Sequence, residues 1–235
     1  MTDGGGLFSQ VNSSPTLTNV TFSGNTALGN GGGMYNFQNS PQIRDTLFWG
    51  NTAGGSGAQI YNGSDGNPSL NDSVIQDGCP TGSTCTNILI SDPLLGTLGN
   101  YGGFTQTIPL LAGSSAIDTG INETCAQSDQ RGVVRPQGLH CDISAFEFTQ
   151  FTITGNAGIV GAILTYDGGL AIAGGFGDYS IPVNSDWIGT ITPFMPGYSF
   201  SPTEITITTP VTFNLTGQDF TAHLYYTIFL PLVIR

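Results

Sequence analysis

Three stretches of the chain share one pattern of apolar and polar positions. In residues 15–25 the inward candidates are Leu17, Val20 and Phe22; in residues 41–51 they are Ile43, Thr46 and Phe48; in residues 68–75 they are Leu70, Ser73 and Ile75. A two-residue alternation of this kind predicts short strands, and no 3.6-residue helical period survives the glycines and β-branched residues between them. Each stretch skips one step, at Asn19, Asp45 and Asp72. The skip predicts a corner, because Asn and Asp enter the left-handed backbone region at least cost. A second pattern recurs in phase with the first: Gly4-Gly5-Gly6-Leu7-Phe8, then Gly31-Gly32-Gly33-Met34-Tyr35, then Gly57-Ala58-Gln59-Ile60-Tyr61. Three copies at one period predict stacked units, each too small to bury its own interior. The expected architecture is all-β, a parallel β-helix in which like residues pile up at the strand spacing of about 4.8 Å.

After Phe148 the texture changes. Strands are expected at residues 152–154, 162–166, 179–183, 189–193, 204–208, 211–215 and 219–221, punctuated by Asp167-Gly168-Gly169, Gly174-Gly175 and Thr216-Gly217-Gln218. Regular short strands with such turns predict a small antiparallel β-sandwich. The domain reading is therefore rungs and cap over 1–148, a sandwich module over 149–222 and an apolar tail over 223–235. In that reading residues 91–148 close the open end of the core.

Composition narrows the function. There are 16 acidic side chains against 4 arginines and no lysine, a net charge of −12. Phosphate neutralisation needs clustered basic residues, so nucleic acid is not an expected partner. Lysine-dependent nucleophilic and phosphate chemistry is excluded as well. No apolar run approaches the ~18 residues of a membrane-crossing helix. Cys79 with Cys85, and Cys125 with Cys141, form local pairs. Of the three pairings that four cysteines allow, this is the expected one, and disulfides imply an oxidising compartment. The first residues lack the charged and apolar segments of a signal peptide. The chain is expected to be part of a longer exported protein.

The alternation of GGG[LM][FY] with TFSGNTA (residues 21–27) and LFWGNTA (residues 47–53) resembles the repeats of polymorphic-outer-membrane-protein-type β-helices. Residues 91–96, 100–107, 113–120, 129–136 and 141–147 are similar, in order, to the closing segment of choice-of-anchor Q proteins of bacterial surfaces. Ser144 stands where that family usually has glycine. Residues 153–162 and 196–202 resemble carboxypeptidase-regulatory-like modules. The resemblance implies a right-handed parallel β-helix at a bacterial cell surface, and it brings no established catalytic residues.

Candidate chemistry is sparse. Asp118, Asp142 and Glu147 share a segment with Arg131 and Arg135, which reads either as a cluster able to do acid-base work or bind calcium, or as buried ion pairs holding an irregular cap. Beyond calcium no cofactor is expected. Arg44, Asp45 and Asp72 are the one grouping in the coils that suits polysaccharide elimination. Trp187, Phe194 and Tyr198 are candidates for a sugar platform and equally for core. The expected function is a non-catalytic, secreted or cell-surface structural or adhesion protein that meets polysaccharide or other surface material. The alternative is a carbohydrate-active lyase or hydrolase, or the binding part of one. Self-association through the open first coil is a further expectation.

Overall fold

The computed structural model describes residues 2–185 and 187–225; the expected tail falls largely outside them. The chain divides into two compact units, Met1–Phe148 and Thr149–Arg235. All regular structure among the described residues is β, with no helix.

The first unit opens with four short strands, β1 (Leu7–Ser9), β2 (Thr16–Thr18), β3 (Thr21–Ser23) and β4 (Thr26–Ala27). The second repeat supplies β5 (Met34–Phe37), β6 (Gln42–Arg44), β7 (Leu47–Trp49) and β8 (Thr52–Ala53). The third supplies β9 (Ile60–Gly63) and a longer β10 (Ser69–Ile75), followed by β11 (Thr84–Leu89). Every pairing between these strands is parallel. Leu7 lies opposite Met34, and Met34 opposite Ile60. Leu17 pairs with Ile43 and Ile43 with Leu70; Phe22 pairs with Phe48 and Phe48 with Ile75. The result is a curled parallel sheet.

The pairing brings the predicted inward residues into one core of Phe22, Met34, Ile43, Phe48, Ile60, Leu70 and Ile75. The Phe22 and Phe48 rings stack at 4.6 Å between centroids. Asn19, Asp45 and Asp72 take φ of 53°, 48° and 46°, the left-handed corner expected of them. Asn87, at φ 51°, makes a fourth corner in β11, and its amide donates to the Asp72 carboxylate at 2.8 Å. Polar interior positions stack too: Asn25 donates to Asn51, Asn51 to Gln59 and Gln59 to Gln76, at 2.9, 2.8 and 3.2 Å. A buried amide ladder of this kind satisfies itself only while the register holds.

Residues of the 91–148 segment pack along the flank of this sheet. Leu47 and Val74 face away from the interior yet are fully buried, because Leu110, Ala116, Ile143 and Phe146 pack against them. Strands apolar on both faces are strands covered on both faces.

The second unit is antiparallel. It contains β12 (Gln150–Asn156), β13 (Ile163–Tyr166), β14 (Gly169–Ile172), β15 (Asp178–Asn184), β16 (Gly189–Phe194), β17 (Tyr198–Ser201), β18 (Ile205–Ile207) and β19 (Thr221–Leu224). The sheet order β14-β13-β16-β18 and the pairs β12-β15 and β17-β19 enclose a core that includes Ile153, Leu164, Ile181 and Ile191. Three local expectations change. Residues 211–215 are not a strand; Leu215 alone bridges to Ile153. Residues 169–172 and 198–201 are strands that the sequence reading does not give, the first beginning at the last residue of the expected turn 167–169 and the second within the segment 196–202.

Candidate functional site

The charged residues of the first unit converge on the flanking segment. Arg135 and Glu147 form an ion pair at 2.5 Å with both side chains fully buried. The second guanidinium nitrogen of Arg135 donates to the Ser144 carbonyl at 2.7 Å, while its Nε finds no acceptor among the described residues. Glu147 also accepts the backbone N–H of Gln137 and of Asp142, at 2.8 and 3.0 Å. Beside it, Asp129 holds Arg131 at 2.8 Å and accepts the N–H of Val133 and of Glu147. The Arg131 guanidinium lies 3.6 Å from the centre of the Phe146 ring.

Asp142 is the hinge of the network. One carboxylate oxygen accepts the Asp118 N–H at 2.8 Å, the other accepts the Phe148 N–H, and its carbonyl accepts from Asn19 and Arg135. Burial, and next the negative charge of Glu147, push its carboxyl up to about 7. Asp118, at φ 53°, accepts the His140 N–H at 3.0 Å. The lone pairs of Asp142 and Glu147 that a calcium ion would need are thus directed at N–H donors of this chain. No cluster of three or more His, Cys, Asp or Glu suited to a metal occurs among the described residues.

In the Arg44, Asp45 and Asp72 grouping both carboxylates are already engaged elsewhere, although Asp45 still feels the charges of the other two. Asp45 is fully buried, its carboxylate accepting the Ile121 N–H at 3.0 Å and the Thr124 hydroxyl at 3.1 Å. Burial raises its carboxyl above the usual range. Asp72 turns to Asn87, and Arg44 lies on β6 in register with Thr18 and Asn71. A base for elimination must reach solvent-borne substrate, and Asp45 sits beneath the flanking segment instead.

Both expected disulfides are present, Cys79–Cys85 and Cys125–Cys141. The second lies within the segment that carries Thr124 and Asp142.

In the second unit the platform residues separate. Trp187 packs edge-on against Tyr166 and donates its indole N–H to the Asp167 carbonyl at 2.8 Å. Phe194 is exposed and opposite Ile163, at the other end of β13, and Tyr198 packs on the core.

A cleft of about 500 Å³ lies under β9 and is lined by Gln59, Tyr61, Asn62, Gln76 and Asp77 among others. It exists because the chain passes from β10 to β11 without building a strand below β9.

Asp129 and Asn87 are structural anchors that sequence reasoning does not find. Equivalent positions in the earlier copies stand 26 or 27 residues apart, as Asn25 from Asn51 and Thr46 from Ser73, whereas Asp72 and Asn87 are only 15 apart. The fourth corner is therefore out of step with the first three.

Comparison with known proteins finds no matching family model, no matching curated protein and no matching solved structure.

Proposed function

We propose that this chain is a non-catalytic structural protein of the cell exterior. In this reading the first unit is a stretch of right-handed parallel β-helix, the second a β-sandwich module, and the pair meets polysaccharide or other cell-surface material. The observation that carries it is the use of the carboxylates. Asp45, Asp129, Asp142 and Glu147 are buried and engaged with backbone N–H groups or arginines, so the acids that could do proton transfer hold an irregular segment onto a sheet. Two disulfides suit an oxidising compartment. No helix of the described residues is long and apolar enough to cross a membrane. The resemblance to bacterial surface repeats supports the same assignment.

The test is incubation with pectin and with alginate while following the absorbance of unsaturated uronate, alongside affinity electrophoresis in the same polysaccharides. Retarded migration without product is the expected result. Product formation that disappears in Arg44→Ala would replace this reading with the lyase alternative.

A further inference from the structure

Beside β9 the stacked repeats present a row of backbone donors without acceptors. The N–H groups of Gly31, Gly32, Gly33 and Met34 donate to the carbonyls of Ser56, Gly57, Ala58 and Gln59 at 3.0, 3.2, 3.0 and 2.9 Å. In register with those donors, one repeat on, stand Gly57, Ala58, Gln59 and Ile60, whose own N–H groups donate to no acceptor among the described residues. All four residues line the cleft of about 500 Å³. Its opposite wall is the turn at Gln76–Thr81, tied to β11 by the Cys79–Cys85 disulfide. Both walls are internal to the chain, with described residues before and after each. A backbone N–H beside a buried strand costs free energy unless an acceptor meets it.

The lining decides what fits. The carbonyls of residues 56–59 are all taken by the preceding repeat, so over this stretch the edge offers donors only. A β-strand exchanges both N–H and C=O with its neighbour and does not match such an edge. Sterics agree: a Cβ at Gly32 or Gly33 would lie 2.5 Å from the Ala58 or Gln59 oxygen, so close stacking needs glycine in the donating row, and the third repeat has Ala58 and Gln59 there. Asp77 is the one charged side chain of the lining. Donors beside a carboxylate, with no arginine among them, suit a neutral ligand rich in oxygen acceptors over a carboxylate or a phosphate. Tyr61 lines the same cleft and ends a column of rings. Phe8 stacks on Tyr35 at 5.0 Å and Tyr35 packs on Tyr61 at 5.3 Å, and no further ring packs on Tyr61 among the described residues. An aromatic ring beside a few oriented polar groups is the composition of a small-molecule site, and flat rings match the apolar faces of pyranoses.

We propose that the cleft beside β9 binds a neutral pyranose chain. The N–H groups of residues 57–60 donate to its hydroxyl, ring or acetamido oxygens, Tyr61 covers the apolar face of one sugar ring, and Asp77 accepts a hydroxyl. The shape is held by side chains already committed to the fold. Asn62 donates to the Thr81 carbonyl and the Ser83 hydroxyl at 2.9 Å each, and Gln59 is bonded to Asn51 and Gln76. The inference rests on the reading of the chain as a surface protein that meets polysaccharide, and gives that reading one site and one charge class of glycan.

Calorimetric titration of the full chain with cellohexaose, mannohexaose and chitohexaose tests it. Saturable binding of at least one hexaose is expected, weakened tenfold or more by Tyr61→Ala and retained by Tyr61→Phe. Ala58→Leu fills the cleft from a position that no repeat packs beneath, so it melts with the parent and abolishes binding, whereas Phe194→Ala in the second unit leaves binding as it was. Failure of all three hexaoses to bind, or parental binding by Ala58→Leu, overturns the proposal. Electrophoresis keeps the two readings apart: retardation in pectin or alginate alone, equal for the parent and Ala58→Leu, removes this site and leaves the surface-protein reading standing, while no retention by any glycan removes both.

Discussion

Asp45 and Ile121 stand 76 positions apart in the chain, and a carboxylate oxygen of the first accepts the backbone N–H of the second at 3.0 Å. The same carboxylate takes the Thr124 hydroxyl, and in the repeat before it Asn19 accepts the Ala126 N–H at 2.8 Å. The corner residues therefore do two jobs. Their left-handed backbone turns the strand, and their side chains fasten a segment with little regular structure of its own.

Asp45→Ala removes both functions. It leaves the Ile121 N–H without its acceptor and puts a Cβ without a compensating hydrogen bond in the left-handed region, a cost of about 3 kcal/mol. Asp45→Asn keeps the backbone preference and one acceptor, and costs about 1 kcal/mol. Urea denaturation of the two variants beside the parent measures the difference, and equal losses would show that the side-chain bonds contribute little.

Glycine at the repeat contacts is a steric requirement. Gly33→Ala forces its Cβ against the Gln59 oxygen and is expected to cost about 2 kcal/mol or more, whereas Ala58→Gly, with no repeat beneath, costs under about 1 kcal/mol. Thermal melts separate the two.

The corner pattern and the interior alternation are legible because each is a local preference repeated in phase: Leu17, Ile43 and Leu70 sit where the spacing puts them. The packing of the flanking segment along the sheet is not legible in this way. A clue exists in Leu47-Phe48-Trp49 and Val74-Ile75, where apolar residues occupy successive positions and so point to both faces, but the alternation marks the inward set alone. Asn87 is hidden because β11 follows β10 after a short connection, out of phase with the earlier copies. In the second unit, the turn expected at Asp167-Gly168-Gly169 runs straight into β14, and no strand is expected at β17; pairing with β13 and β19 decides those strands, and partners are not encoded locally.

Asp142 makes stability depend on pH with an unusual sign. Its carboxyl is raised to about 7 in the folded chain against an ordinary value of 3.8. The folded state holds the proton more tightly than the unfolded one, so this group's contribution is complete below about pH 4 and is lost as pH rises through 7, at about 1.4 kcal/mol per unit at most. Asp142→Asn is expected to flatten the fall in melting temperature between about pH 4 and 7 relative to the parent. An unchanged slope would assign the titration elsewhere.

The Cys125–Cys141 bridge closes a loop with a sequence separation of 16, which begins next to Thr124, a partner of Asp45, and contains Ala126, a partner of Asn19. The paired Cys125→Ser and Cys141→Ser variant is expected to lose about 3 kcal/mol, through the entropy of the opened loop. Cys79→Ser with Cys85→Ser, closing a separation of 6, loses less. Denaturation of both double variants in urea gives the ranking.

The flanking segment touches the first repeat at Asn19 and Thr21, the second at Asp45 and Leu47, and the third at Val74. It is thus graduated like a ruler laid against the coils. A duplicated repeat inserted between Asn19 and Asp45 would slide one set of marks by about 4.8 Å and leave those fastenings without their partners. Lengthening ahead of Asn19 disturbs none of them.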